Sequence, residues 1–352
     1  MNKLRVLVVE DSLTVRRRLC EVLEADPGIE VVGEAADGKQ AIEKCLALGP
    51  DVITLDMMLP VMSGLAATEY IMAHRPTPIL VVSSSVNRGE LFKTYEALAA
   101  GAVEVMEKPA ADAEDGAWER RFVAMVKLVA RVKAITHVRA RLNGHTAAER
   151  MPPPRSDGHA CEVLAIGAST GGPRAVVEVL RALPPGLAVP VLVVVHIGEP
   201  FGSAFAEWLD GQTHHRVRLA APGQALATQG VFLAPPDRHL VLQQRRLQLS
   251  SAPQRHSCRP SVDVLFESLA AECGAAAGAC LLTGMGQDGA RGLLAIRQAG
   301  GTTIAQDEAS SVVWGMPREA VQLGAAHRVL PLGEIGPALA AVALDARQSG
   351  RA

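Results

Sequence analysis

Short apolar runs separated by longer amphipathic stretches set the rhythm of this 352-residue chain. In the first third, runs rich in β-branched residues fall at 5–9, 29–35, 51–55, 79–83 and 104–106. Helix-period segments lie between them, which predicts parallel strands covered by helices on both faces. Apolar and basic positions alternate over 117–141 and predict a closing helix. Residues 143–159 contain Met-Pro-Pro-Pro among polar residues and read as a linker. From residue 162 the rhythm restarts, with strands predicted at 163–167, 189–196, 230–234, 279–283 and 302–305 and helices such as 173–182 and 262–272 between them. Two α/β domains are therefore expected, over 1–121 and 160–345, with a connecting helix and linker over 122–159.

Composition narrows the partners. The hydrophobic fraction of 49% supports two cores, and a net charge of only -2 argues against a large electrostatic footprint for nucleic acid or an anionic membrane. Six cysteines, Cys20, Cys45, Cys161, Cys258, Cys273 and Cys280, form no Cys-x-x-Cys pair and no histidine-spaced zinc cluster, so they read as free thiols in a reducing compartment. The N-terminus lacks the apolar core of a signal peptide, and the most apolar run, 189–197, is far shorter than the ~20 residues that span a bilayer. A cytoplasmic location without membrane insertion is expected.

In an open parallel sheet, functional groups gather at the carboxyl ends of the strands. In the first domain Glu10 and Asp11 follow the first predicted strand, Asp56 ends the third, Ser83 ends the fourth and Lys108 follows the fifth. One aspartate there is no more than a turn residue. Three carboxylates in one crevice would repel one another unless a hard cation neutralised them, and Mg²⁺ takes oxygen ligands of this kind. A nearby ammonium and hydroxyl suit an added phosphoryl group.

The second domain carries Gly167-Ala168-Ser169-Thr170-Gly171-Gly172 between an apolar strand and a helix opened by Pro173. This fits a Gly-x-Ser-x-Gly nucleophile turn, although a glycine-rich turn can also cradle a phosphate. Against the phosphate reading, Ser169 stands where the dinucleotide fingerprint places glycine. A serine nucleophile needs a base and a group to orient it. His196 ends the next apolar run, and Asp288 lies in the glycine-rich turn Gly284-Met285-Gly286-Gln287-Asp288-Gly289 after another strand. Taken singly these are a core histidine and a helix cap, but all three fall at one edge of the inferred sheet. Their order, Ser, His, Asp, disfavours a standard α/β-hydrolase.

Residues 1–121 resemble the receiver domains of two-component response regulators. That resemblance implies phosphorylation of Asp56, Mg²⁺ on Glu10, Asp11, Asp56 and the Met58 carbonyl, and phosphoryl contacts from Ser83 and Lys108. Val105 stands where many receivers place an aromatic residue, and Ser63 where aspartate is common. Residues 162–344 are similar to the catalytic domain of chemotaxis protein-glutamate methylesterases. The similarity extends to the segments 234–240 (Ala-Pro-Pro-Asp-Arg-His-Leu), 259–266 (Arg-Pro-Ser-Val-Asp-Val-Leu-Phe) and 315–317 (Gly-Met-Pro). It implies Ser169 as nucleophile, His196 as base, Asp288 as its orienter, and N–H groups near Thr170 and Met285 for the oxyanion. The segment after His196 departs from the family's usual His-Met-Pro opening, and Trp208 stands where arginine is common.

The expected fold is thus two doubly wound parallel-sheet α/β domains, a flavodoxin-like receiver and a Rossmann-like esterase domain. The resemblance implies a phosphorylation-activated methylesterase acting on glutamate γ-methyl esters of chemoreceptor cytoplasmic domains, and on receptor glutamines. Its phosphodonor would be a sensor histidine kinase, and the ester reaction would need no cofactor. Two alternatives stand beside this: a phosphorylation-driven binding module with a vestigial hydrolase site, and a carboxylesterase for small esters.

Overall fold

The structure, a computed structural model, describes residues 3–84, 88–108, 116–132, 160–198 and 201–349. The predicted linker at 143–159 and the later part of the predicted 117–141 helix lie outside them. The chain divides into two compact units, Met1–Ala148 and Glu149–Ala352.

In the first unit, strands β1 (Leu4–Val9), β2 (Ile29–Ala35), β3 (Val52–Leu55), β4 (Ile79–Ser83) and β5 (Glu104–Glu107) form one sheet in the order β2-β1-β3-β4-β5. All its pairings are parallel. This is the flavodoxin-like order. Helices α1 (Leu13–Glu24), α2 (Gly38–Leu48), α3 (Gly64–His74), α4 (Arg88–Ala100) and α5 (Ala117–Val129) alternate with the strands. Strands β3 and β4 are buried at every residue, and burial on both faces explains why they read as largely apolar runs. Ser12, Asp37 and Ser63 cap α1, α2 and α3, each side chain accepting from a first-turn N–H. Ser63 therefore does the capping work of the aspartate common at its position.

The second unit is built on seven strands: β6 (Val163–Ala168), β7 (Val191–Val195), β8 (Val217–Leu219), β9 (Val231–Leu233), β12 (Ala277–Leu281), β13 (Thr302–Gln306) and β14 (Arg328–Leu330). They run parallel in the order β14-β13-β12-β6-β7-β9-β8. Helices α6 (Gly172–Ala182), α7 (Phe201–Gln212), α8 (Val262–Cys273), α9 (Ala290–Gln298), α10 (Met316–Gln322) and α11 (Leu332–Ser349) lie between strands and after the last one. Strands β6, β7 and β12 are buried at every residue, and Val163, Leu192, Phe232, Leu265, Phe266 and Leu293 are among the members of the core. The chain leaves β6 for β7 on one side and returns to β12 on the other. The carboxyl end of β6 is therefore a topological switch point, where such sheets open a crevice.

Outside this sheet stands an antiparallel hairpin, β10 (His239–Gln243) and β11 (Arg246–Ser250). Its two-residue turn is Gln244-Arg245, at φ 49° and 60°. The Glu272 carboxylate holds the turn by accepting from the Gln244 and Arg245 N–H groups at 3.1 and 3.2 Å. Trp208 in α7 is buried at 2% exposure and stacks on Phe205, so the departure from arginine there serves packing.

Candidate active site

The switch point brings the predicted residues to one edge. Ser169 follows β6, His196 follows β7 and Asp288 lies in the loop after β12. The Ser169 N–H donates to the Thr283 carbonyl at 3.0 Å, and the His196 N–H to the Ala168 carbonyl at 3.1 Å. Gly171, at φ 75°, turns the chain into α6. Gly284 packs directly on the nucleophile turn: a Cβ there would collide with Met316 Sδ and lie 2.8 Å from Ser169 Cβ. Among the described residues, the N–H groups of Thr170 and Met285 donate no hydrogen bond, and both border Ser169 through these turns.

Asp288 is the most heavily bonded group of the site. It is 2% exposed and accepts from Ser261 Oγ at 2.7 Å, the Val262 N–H at 2.7 Å, the Asp263 N–H at 3.1 Å and His196 Nε2 at 2.8 Å. Three of these donors belong to the N-terminus of α8, where unpaired N–H groups favour an anion. Asp288 is thus not the cap of its own following helix α9, whose N-cap is Gly289. Burial raises its pKa, but the His196, Ser261 and Val262 bonds outweigh burial and hold it below the ordinary value.

His196 stands with Nε2 on Asp288 and Nδ1 3.6 Å from Cys258 Sγ. Burial opposes its charge, yet the bonds and charges of Asp288 and Cys258 prevail and push its pKa up to about 9. Among the described residues no hydrogen bond joins the Ser169 hydroxyl to the imidazole. Hydrogen bonds of this kind are often long in an empty site and tighten around substrate.

Several supporting residues lie in segments to which the sequence alone assigns no role. Ser261 is fixed by its N–H, which donates to His239 Nδ1 at 3.1 Å, while His239 is buried with Nε2 at 3.1 Å from the Pro253 carbonyl. Arg259 bonds Asp237 at 2.6 and 2.9 Å. The segments 234–240 and 259–266 therefore together seat the α8 N-terminus. Buried Thr283 braces the nucleophile turn, donating to the Thr170 carbonyl at 3.0 Å and accepting from the Val313 N–H at 2.9 Å. An open cleft of about 480 Å³ begins one residue beyond Gly284, lined by Met285, Gln287, Trp314, Arg318 and Glu319 among others.

The first unit holds a second cluster. Glu10, Asp11 and Asp56 offer carboxylate oxygens within 4.8 Å of one another. Glu10 and Asp56 are buried, Asp11 is exposed, and Met58 follows in the loop after β3. Lys108 Nζ bonds Asp56 Oδ2 at 2.9 Å and pairs with Glu10 Oε2 at 2.9 Å. Asp56 Oδ1 is buried with no hydrogen-bond partner. Burial and then the Asp56 charge push the Glu10 pKa up to about 7. Ser83 does not join the cluster through its side chain, since its Oγ donates to Glu90 Oε1 at 3.0 Å, which also accepts from Ser84.

The family model for the CheB methylesterase matches residues 164–339, and that for the response regulator receiver domain matches residues 6–115. A protein-glutamate methylesterase/protein-glutamine glutaminase 2 of Anaeromyxobacter dehalogenans is 45% identical, covering 96% of each chain. A protein-glutamate methylesterase/protein-glutamine glutaminase 4 of Geobacter metallireducens is 40% identical, over 97% of this chain and 99% of its own. Among solved structures, the CheB methylesterase catalytic domain of Thermotoga maritima is 33% identical with a TM-score of 0.50. The match covers 52% of this chain and 99% of that one.

Proposed function

The chain belongs to the CheB methylesterase family, with a response regulator receiver domain preceding the catalytic unit in sequence, and from this premise we propose a phosphorylation-controlled serine hydrolase. Its substrates are glutamate γ-methyl esters on the cytoplasmic helices of chemoreceptors, and receptor glutamines at the same site. The observation that carries this reading is the imidazole of His196, held by a saturated Asp288 at the strand edge that also bears Ser169.

In this reading Ser169 Oγ attacks the ester carbonyl carbon. His196 Nδ1, the nitrogen not committed to Asp288, takes the hydroxyl proton. The N–H groups of Thr170 and Met285 donate to the oxygen that becomes anionic. Collapse expels the methoxy group, which leaves as methanol with the proton from His196. Water then attacks the acyl-serine, giving its proton to the imidazole, and the glutamate carboxylate departs as Ser169 is restored. With a glutamine substrate ammonia leaves instead. Asp288 stays ionised throughout and keeps the ring in one orientation.

In the receiver, Asp56 accepts the phosphoryl group from a sensor histidine kinase. The carboxylates of Glu10, Asp11 and Asp56, with the Met58 carbonyl, suit Mg²⁺, because the unpartnered Asp56 Oδ1 and the raised Glu10 pKa both mark a cluster short of positive charge. When bound, the cation supplies charge neutralisation for the acceptor cluster. Lys108 then meets the phosphoryl oxygens, and Ser83 reaches them on release from Glu90. The phosphoryl group at Asp56, with its added negative charge and acceptor oxygens, relieves inhibition of the esterase by the receiver. The protein acts in the cytoplasm; no helix among the described residues is long and apolar enough to cross a membrane.

The test is methanol release from methylated receptor membranes with a small phosphodonor. Ser169→Ala should lower turnover by about 10⁴-fold or more. Near-normal release from that variant, or equal release with and without phosphodonor, would overturn the reading. A small-ester carboxylesterase would hydrolyse free aryl esters and leave the receptor untouched.

A further inference from the structure

Cys258 takes no part in the reaction just described, yet it is the side chain that faces the working nitrogen of His196. Three segments far apart in sequence supply a thiol, an imidazole and a carboxylate whose donor atoms lie within 4.8 Å of one another. We propose that Cys258 and His196, backed by Asp288, form a site for a thiol-seeking divalent cation of zinc's type, and that its occupation switches the esterase off.

The geometry supports this at each ligand. Cys258 Sγ and His196 Nδ1 are 3.6 Å apart. A tetrahedral zinc with Zn–S of about 2.3 Å and Zn–N of about 2.0–2.1 Å spans an S···N distance of about 3.6 Å. The imidazole therefore already has the spacing that a shared cation requires. His196 Nε2 meanwhile sits 2.8 Å from Asp288 Oδ2, the carboxylate–imidazole support that fixes the ring and raises the basicity of its free nitrogen in zinc proteins. Asp288 is in turn anchored by Ser261 and the start of α8, so the support does not move when the cation arrives.

Donor chemistry and access agree with the geometry. Thiolate plus imidazole selects zinc over the Mg²⁺ that suits the oxygen-only cluster of Glu10, Asp11 and Asp56. Cys258 and Cys273 are half-buried, whereas Cys20, Cys45, Cys161 and Cys280 are buried. The metal-type groupings among the described residues contain no other cysteine. Two protein ligands leave positions open to water, which makes the site reversible rather than structural. The binding step is a proton exchange: the cation takes the lone pair of Nδ1 and that of Sγ, and the Nδ1 proton of the imidazolium and the thiol proton both go to solvent.

Cation binding stands on these distances alone, while the loss of hydrolysis rests on His196 being the base. The experiment separates the two. Full-length protein in excess Mg²⁺ is titrated with Co²⁺ as a spectroscopic stand-in for zinc. A thiolate-to-cobalt charge-transfer band saturating at about one ion per chain, reversed by zinc, is expected, and Cys258→Ser should lose it. Absence of the band, or its survival in Cys258→Ser, overturns the site. Zinc should also protect Cys258 of the unaltered protein from alkylation, read by peptide mass, which needs no variant. Hydrolysis, scaled to each protein's own chelator-treated rate, should fall at least about tenfold with zinc in the unaltered protein and less than about twofold in Cys258→Ser. A cobalt band with undiminished hydrolysis would keep the site and overturn both the switch and the assignment of His196 as base.

Discussion

Two buried aspartates lie at the carboxyl edges of two parallel sheets and have opposite surroundings. Asp288 accepts four hydrogen bonds, from Ser261, Val262, Asp263 and His196. Asp56 has Lys108 on one oxygen and nothing on the other. A saturated carboxylate is held below its ordinary pKa and has no lone pair to offer a new partner, so it orients. A carboxylate with a free buried oxygen is open to a cation or to a phosphorus atom, so it reacts. Residue type and strand-end position are shared, and the count of donors decides the role.

Exchanging either carboxylate for its amide has the largest expected effect. Asp288→Asn should lower methanol release by about 10⁴-fold, because the amide no longer selects the tautomer that leaves Nδ1 free to accept a proton, while leaving phosphate uptake intact. Asp56→Asn should abolish phosphate incorporation from a small phosphodonor and hold methanol release at its level without phosphodonor, far above that of Asp288→Asn. Equal loss of both functions in either variant would mean that the donor count does not separate the roles. Next in size is Ser261→Ala. It removes a buried bond to a charged group, at a cost of about 1.5–3 kcal/mol in unfolding experiments, and it loosens Asp288. If Ser261 positions the carboxylate, the pH dependence of turnover should move along with stability; a change in stability alone would mark it as merely structural.

The pH profile sharpens the comparison further. His196 must be neutral to act as base, and its pKa lies near 9, so kcat/KM measured with chelator present should climb through neutral pH and level off only above about 9. Asp288 and Cys258 both raise that pKa, so Cys258→Ser should move the rise to lower pH. The stability linkage has the same origin. The His196 imidazolium stabilises the fold fully below its ordinary pKa of about 6.5, and this contribution is lost as pH rises through about 9. The smallest effect expected is that of Ser63→Ala, about 1 kcal/mol from loss of the α3 cap, with acceptor chemistry unchanged.

The central parallel strands were legible in the sequence because they are buried on both faces and so read as apolar runs, whereas β8 and β14, three residues each and partly exposed at the two edges of their sheet, were not. The strand-end residues Ser169, His196 and Asp56 were legible for the same reason, since a strand's end can be read from its run, and Asp288 was legible from the glycine-rich turn that follows one. The hairpin of β10 and β11 was not. Its turn uses Gln244 and Arg245 at positive φ, where the usual signal is Asn-Gly or Asp-Gly, and the Glu272 carboxylate far along the chain supplies what the turn residues lack. Side-chain partners across the fold were equally hidden. Nothing near Ser261 in sequence points to Asp288, and nothing near Cys258 points to His196. Ser83 ends its strand as expected, but the direction of its hydroxyl depends on Glu90, a helix later.

The central claim is that the imidazole on Asp288 serves Ser169, and covalent labelling tests it most directly. A fluorophosphonate reacts only with a serine whose proton is being taken. The full chain, with phosphodonor, excess Mg²⁺ and a zinc-selective chelator present, should carry one label on the peptide containing Ser169, and Asp288→Asn should label slowly. Label on another residue, or undiminished labelling of Ser169 in Asp288→Asn, would contradict the account.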